Sequence, residues 1–150
     1  RRDENGGWHI IKTAKVLEAV ETAGKIIKVA KNHLFAIGDF VTVGGKFDGA
    51  SDKITAIDKS NAAYDSITLA AAIGAMAKDM VLVAVKSKAD AGSAEATVET
   101  SEVVITMAKV DLTVANQSCG LMVRGTIEER NMPFPLDADL KKLMPLIRFV

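Results

Sequence analysis

The feature that most constrains the fold is a series of short β-branched and aliphatic runs between Phe35 and Lys86, separated by glycine or small polar residues. Such runs favour strands, because β-branched side chains fit a pleated surface, and Gly, Asp, Asn and Ser favour turns between them. The polar pair Ser60-Asn61 stands between two of the runs and predicts a β-hairpin. The predicted strands are Lys25–Ala30, Phe40–Val43, Ile54–Asp58, Ser66–Leu69 and Val81–Val85. The sequence therefore predicts a mainly β fold, with a small β-barrel or sandwich-like module over residues 25–86.

Residues 9–31 are compatible either with a helix over Lys12–Thr22 or with two strands. The spacing of Val16, Leu17 and Val20 suits one face of a helix, whereas the β-branched residues around them suit strands. We favour two strands, because Thr22-Ala23-Gly24 resembles a turn between two apolar runs.

Composition divides the chain into four parts. Residues 87–96 are poor in bulky apolar side chains and rich in alanine, glycine and charge, which is typical of a linker. Short apolar runs follow at Val103–Thr106, Val110–Val114 and Leu121–Ile127, and they predict further strands. We therefore expect a charged arm over 1–8, a β-barrel-like module over 9–86, a linker over 87–98, and a second β-rich segment over 99–150 that contains a short helix over 137–144.

Proline residues restrict the backbone conformation of the C-terminal segment. Pro133 and Pro135 restrict their own dihedrals and those of the preceding residues, which predicts an extended segment. Asp137 can cap a short helix that ends before Pro145. The apolar run Leu146–Val150 then predicts a terminal strand, which needs cover from its own core or from a neighbouring subunit.

Charge and composition exclude several classes of function. The 19 basic and 19 acidic residues cancel, so the basic excess expected of a nucleic-acid binder is missing. Aromatic residues make up only 5% of the chain, and no apolar run approaches the length of a membrane span. We expect neither a nucleic acid nor a membrane as a partner.

Residues that often carry chemistry are few and scattered. His9 and His33 stand in no metal-ligand spacing and are expected at the surface or in turns. Cys119 is the single cysteine, which excludes an intrachain disulfide and favours intracellular synthesis, and its turn-like surroundings favour a semi-buried thiol over a nucleophile. The glycine-rich stretch GGKFDGAS lacks the spacing of a phosphate-binding loop. We expect no catalytic residue, no metal site and no cofactor, and therefore no enzyme.

Acidic residues near the predicted loops lack the ordered alternation of oxygen ligands that a calcium site requires. These residues are Asp48, Asp52, Asp58 and Asp65. Glu128 and Glu129 stand beside Arg124 and Arg130, and this grouping predicts a solvated or inter-subunit ion-pair cluster rather than a paired-carboxylate site.

Several apolar residues are candidates for contact with neighbouring subunits. Trp8, the single tryptophan, follows a glycine-containing arm and is expected to anchor into a core or an interface. The full set of predicted interface residues is Trp8, Pro133, Phe134, Pro135, Leu146, Ile147, Phe149 and Val150.

Two parts of the sequence resemble a known family. The first comprises KVAKNHLFAIGDFV at Lys28–Val41, KITAIDKSNAAYDSITL at Lys53–Leu69 and MVLV at Met80–Val83. The second is VRGTIEERNMPFPLDADLKKLMPLIRFV at Val123–Val150. In this order they resemble the head fiber or capsid decoration proteins of tailed phages and prophages of Bacteroides-type gut bacteria.

The resemblance implies a structural virion protein, made in the cytoplasm of the bacterial host and displayed on the capsid exterior. It implies a homo-oligomer, expected to be a homotrimer, that binds the major capsid protein, with a host-surface glycan as a further candidate partner. It supplies no catalytic residues. Both a head fiber and a compact decoration protein are compatible with it.

An alternative function is a small β-barrel binding module for glycan or nucleic acid, without catalysis. The turn at Ile37–Val41, in which a Gly-Asp pair lies between apolar residues, favours this class. The class also requires a basic or aromatic face, which the composition does not supply.

Overall fold

The computed structural model describes residues 11–44, 49–90, 105–107, 120–132, 136 and 138–150. The fold is mainly β, as the sequence predicts. A 3₁₀ turn covers Glu129–Asn131, and helix α1 covers Ala138–Lys142. The strands are β1 (Thr13–Lys15), β2 (Ile26–Val29), β3 (Phe40–Val43), β4 (Ser51–Asp58), β5 (Asp65–Leu69), β6 (Val81–Val85), β7 (Ile105–Thr106), β8 (Leu121–Met122), β9 (Gly125–Ile127) and β10 (Ile147–Phe149). Among these residues, no helix has the length and apolar character needed to cross a membrane.

The first six strands form one antiparallel sheet in the order β1-β6-β3-β4-β5-β2. Its two outer strands meet through a bridge between Val16 and Val29. Two backbone bonds flank the bridge, from the Leu17 N–H to the Lys28 carbonyl and from the Ala30 N–H to the Lys15 carbonyl, each 2.9 Å long. The sheet therefore closes on itself as a small six-stranded barrel, which leaves none of its strands with a wholly free edge.

The barrel interior is filled by aliphatic side chains. Alternate residues of β5 point inward, with Ile67 and Leu69 buried, because successive side chains of a strand face opposite sides of the sheet. The buried cluster comprises Ala14, Val16, Ile27, Val29, Phe35, Val41, Ile54, Ile67, Leu69, Ile73, Met76 and Leu82. Among the described residues, Phe35 is the one aromatic side chain in this cluster, so the stability of the core depends on close packing of branched aliphatic groups.

Strand β6 is buried on both faces. Leu82 points into the barrel, whereas Val81 and Val83 point outward and pack against Leu140 of α1. A strand covered on both faces has a continuous apolar sequence rather than an alternating one, which accounts for Val-Leu-Val-Ala-Val. The C-terminal segment thus packs on the outer wall of the barrel.

The predicted turn before β2 is present, but the pairing around it differs from a simple hairpin. The Gly24 N–H donates to the Glu21 carbonyl at 2.8 Å, and a Cβ at residue 24 would lie only 2.5 Å from the Val20 side chain, so glycine is required there. The main partner of β1 is β6, Val20 exchanges backbone bonds with Met76, and β2 is met through the bridge between Val16 and Val29. The two strands favoured over a helix are confirmed.

The C-terminal elements are shorter than predicted. A bend at residues 123–124 divides the predicted strand Leu121–Ile127 into β8, which pairs with β7, and β9, which pairs with β10. Helix α1 ends at Lys142, and the N–H groups of Leu143 and Met144 bond three residues back, the tighter geometry that often ends a helix before proline.

Two predicted segments lie largely or wholly outside the residues that the structure describes. The predicted strand Val110–Val114 and most of the predicted linker lie outside the described residues. Ser87 and Ala89, at the start of that linker, are both bonded to Ser51 of β4, and Ala89 is buried. The chain therefore stays attached to the barrel at least as far as Ala89.

Candidate assembly surface

The last residues of the chain are held in a parallel strand pair. Strand β10 lies beside β9 with Arg148 opposite Thr126. The Val150 N–H donates to the Ile127 carbonyl, and the Glu129 N–H donates to the Val150 carbonyl, both at 2.9 Å. Both backbone groups of Val150 are therefore fixed, so the terminal strand has a defined position.

The side chains of this strand divide between two environments. Ile147 is buried within its own chain, and Phe149 is half-buried, with the Lys141 Nζ 5.5 Å from its ring centroid. Leu146 and Val150 are 52% and 57% exposed. Of the predicted interface residues in the terminal strand, these two are the ones available to a partner.

The strand pair is also open at its edge. Within the described residues, β10 pairs only with β9, and the two form a separate two-stranded sheet. A two-stranded sheet gains stability when a further strand or face covers it, and an unpaired edge is a template for another chain. We call β10 together with the exposed side chains of Leu146 and Val150 the open C-terminal edge.

The other predicted interface residues, Trp8, Pro133, Phe134 and Pro135, lie outside the described residues. Further exposed apolar side chains occur on both halves of the chain, and in the described residues β7 and β8 form a second two-stranded sheet with unpaired edges. The open C-terminal edge is the one that combines an unpaired strand with exposed residues of the predicted interface. The further exposed apolar side chains are Ile26, Leu34, Ile37, Met80, Met107 and Val123.

The predicted ion-pair cluster lies next to this edge. Glu128 accepts from Arg130 at 2.9 Å, and Glu129 accepts from Lys141 at 2.6 Å. The partner of Glu129 is thus a lysine of α1 rather than one of the predicted arginines, because the 3₁₀ turn places Glu129 toward that helix. Exposed ion pairs of this kind contribute only about 0–1 kcal/mol to the free energy of folding, so their main effect is to orient the side chains.

Sequence reasoning missed a buried polar cluster on the barrel. His33, expected at the surface or in a turn, follows the turn at Lys31-Asn32 but is not at the surface: its side chain is 1% exposed and its Nε2 lies 3.3 Å from the Oδ2 of Asp65. Asp65 is also buried, and its Oδ1 accepts from the Lys31 Nζ at 2.8 Å. Burial lowers the pKa of His33 from its ordinary value, against the opposing influence of the Asp65 carboxylate.

Other perturbed groups stabilise exposed turns. The backbone N–H of Ser60 donates to Asp58 and lowers the pKa of that carboxyl group, and a hydrogen bond from Lys15 does the same for Asp79. The hydrogen bond that Lys28 donates to Glu18 raises the pKa of Lys28. These contacts are local turn and ion-pair interactions, with no convergent set of catalytic groups among them.

The remaining candidate groups do not form a metal site in the described part of the chain, where no three His, Cys, Asp or Glu side chains are placed to hold an ion. Asp48 and Cys119 lie outside that part, and Asp52 is buried beside Lys88 at 3.8 Å. No protein-family model, curated protein or solved structure matches the chain.

Proposed function

We propose that this protein is a structural subunit of a tailed-phage virion, a head fiber or capsid decoration protein. In this role it assembles as a homotrimer and binds the major capsid protein on the outer surface of the capsid. The role requires no catalytic step and no cofactor. A host-surface glycan is a candidate ligand for loops that face away from the capsid.

The observation that carries the proposal is the open C-terminal edge. Leu146 and Val150 remain exposed although the backbone of their strand is fixed on one side by β9. Full burial of a leucine or valine contributes about 1.5–3 kcal/mol, and covering the exposed half of both side chains in a subunit contact contributes part of that to an oligomer. An ordered edge with two exposed apolar side chains suits a subunit that is completed by its neighbours.

The distribution of charge supports protein contact rather than binding to a polyanion. Four lysines on the barrel are paired with carboxylates 2.7–2.8 Å away, which reduces the positive charge available to a phosphate backbone. The pairs are Lys12 with Asp39, Lys15 with Asp79, Lys28 with Glu18, and Lys31 with Asp65. The whole chain has a net charge of zero.

The family resemblance supports the same assignment. Its second stretch, Val123–Val150, contains β9, the 3₁₀ turn, α1 and β10, so it coincides with the unit that carries the open C-terminal edge. Its first stretch covers most of β2 to β5 and the beginning of β6. The two parts that resemble virion proteins are thus a barrel and an attached terminal unit.

Sedimentation velocity of the purified full chain tests the oligomer. We expect a species of about three times the 15.9 kDa chain mass. The double variant Leu146→Asp, Val150→Asp is expected to weaken association by about a hundredfold or more, because burying an unpaired carboxylate is costly. Its fold should be unchanged, since both side chains are already exposed.

The matched control is Ile26→Asp, which places the same charge on an exposed barrel position, 62% accessible in the single chain. This variant should sediment as the wild type does. A monomeric wild type at high concentration, or a double variant that associates as strongly as the wild type, would contradict the proposed use of the open C-terminal edge.

A further inference from the structure

The loop between β2 and β3 is fastened by a histidine side chain. His33 Nδ1 accepts a hydrogen bond from the backbone N–H of Phe35 at 3.2 Å, and the two rings lie 5.6 Å apart. Both residues are buried, whereas Leu34 between them is 44% exposed. The imidazole therefore holds a short buried turn whose middle residue faces solvent.

The bond follows a pattern that the chain uses elsewhere with oxygen acceptors. The Ser60 N–H donates to Asp58 Oδ1, and the Ala63 N–H donates to Asn61 Oδ1, each two residues along the chain. A carboxylate or amide oxygen keeps its acceptor capacity at neutral and mildly acidic pH. An imidazole loses that capacity when it takes a proton, because both of its nitrogens then carry hydrogen.

Three charged groups face the imidazole or influence it from neighbouring elements. Asp65 of β5, with its Oδ2 3.3 Å from Nε2, favours protonation. Lys31 in the loop and Lys59 in the turn after β4 oppose it. Nε2 makes no hydrogen bond in the described structure, so the Asp65 contact does not satisfy the buried imidazole fully. Desolvation is the largest influence and keeps the ring neutral near pH 7.

The other half of the loop is fastened independently. Asp39 accepts from the Ala36 N–H at 2.8 Å and from the Lys12 Nζ at 2.7 Å, and the Gly38 N–H donates to the Ile54 carbonyl at 2.9 Å. None of these contacts involves His33. Phe35 is also held by its packing in the barrel core, so loss of the His33 bond lowers the cost of opening residues 33–35 while the end of the loop remains in place.

We propose that His33 is an acid-sensitive latch: protonation of its imidazole breaks the bond from the Phe35 N–H and releases residues 33–35 from the barrel. In the latched form the pKa of His33 lies below the ordinary 6.5, so the released form binds more protons. Release is therefore favoured as the pH falls below 6.5, and the effect levels off below the lowered pKa. The latch is independent of the assembly proposed above.

Amide hydrogen exchange of the full chain, measured by NMR between pH 5 and 8 and corrected for intrinsic rates, tests the latch. The protection factor of the Phe35 amide should fall by up to about tenfold per pH unit between 6.5 and the lowered pKa of His33. The buried Leu69 amide, which donates to the Lys25 carbonyl at 2.9 Å, is the control and should stay protected. Titration of the His33 ring resonances should coincide with the change at Phe35.

The variant His33→Asn removes the titrating group at residue 33 but keeps a hydrogen-bond acceptor there. An asparagine oxygen can accept from the N–H two residues along the chain without taking a proton, so protection at Phe35 should become independent of pH. His9 is the other histidine of the chain and keeps its ring resonances in the variant, so the resonances that disappear belong to His33. Constant protection at Phe35 while wild-type His33 titrates would overturn the latch, as would an equal fall at Leu69 or an unchanged fall in the variant. If the variant does not fold, the wild-type measurements decide the question alone.

Discussion

Replacing Ile67 by alanine is expected to lower the free energy of unfolding by about 3–4 kcal/mol. Ile67 is fully buried on β5, opposite Ile27 on one side and Ile57 on the other. Backbone ladders fix both neighbouring strands, so the barrel cannot contract to fill the space left by the missing atoms. The loss therefore includes both the transfer free energy and the cost of a cavity.

Urea denaturation followed by far-UV circular dichroism measures this effect. Ile26→Ala is the matched control, because Ile26 lies beside Ile27 on β2 and is 62% exposed. The control should cost no more than about 1 kcal/mol, the range of strand propensities. Equal, small losses in the two variants would show that β5 does not line a closed core.

Replacing Leu140 by alanine is expected to cost about 2–3 kcal/mol and to loosen the C-terminal unit from the barrel. Leu140 is 3% exposed and packs against the outward side chains of Val81 and Val83. Within the described residues, α1 is the helix that covers this face of β6. Its truncation should therefore weaken β9 and β10 as well as α1.

Two measurements separate these effects. Denaturation gives the loss of stability, and exchange of the Val150 amide, which bonds to Ile127, reports on the terminal strand pair. Leu34→Ala removes the same atoms from a side chain that is 44% exposed and lies outside the proposed subunit contact, so it should change stability by about 0.5 kcal/mol or less. If Leu140→Ala behaves like Leu34→Ala, α1 does not stabilise the packing of this unit on the barrel.

The strands of the barrel were predictable because local chemistry and tertiary structure agree there. The β-branched runs at β2, β3 and β6 and the polar turn before β5 define strands whatever their partners. The sequence left a barrel and a sandwich-like module both open, because closure depends on one bridge between Val16 and Val29, and no turn signal or special residue type marks these two valines as partners. Long-range pairing leaves little trace in a single sequence.

The burial of Asp65 could have been anticipated from the two-residue period of β5. Asp65, Ile67 and Leu69 occupy alternate positions and share the inward face, so a carboxylate at Asp65 required a buried partner. Its partner, His33, lies in a loop without periodicity, and its burial depends on how that loop folds across the barrel. No local signal identifies that arrangement.

The same period explains the terminal strand. The prediction treated Leu146, Ile147, Phe149 and Val150 as one apolar surface. Alternation places Ile147 against its own chain and leaves Leu146 and Val150 for a partner, and the observed exposures follow this division. The sequence could indicate that the apolar side chains of this strand must be buried. It could not indicate what buries them, because that depends on the placement of α1 and β9.

Immunogold labelling of intact tailed-phage particles, with antibodies raised against the folded chain, tests the central claim most directly. The particles are prepared from the host culture that carries the gene, and empty heads and free tails in the same preparation serve as internal controls. We predict regularly spaced label on the outside of intact heads, and its loss when the virions carry the Leu146→Asp, Val150→Asp variant. Absence of label from heads that contain the full set of other structural proteins, with the chain recovered only in the soluble lysate, would contradict a role on the capsid.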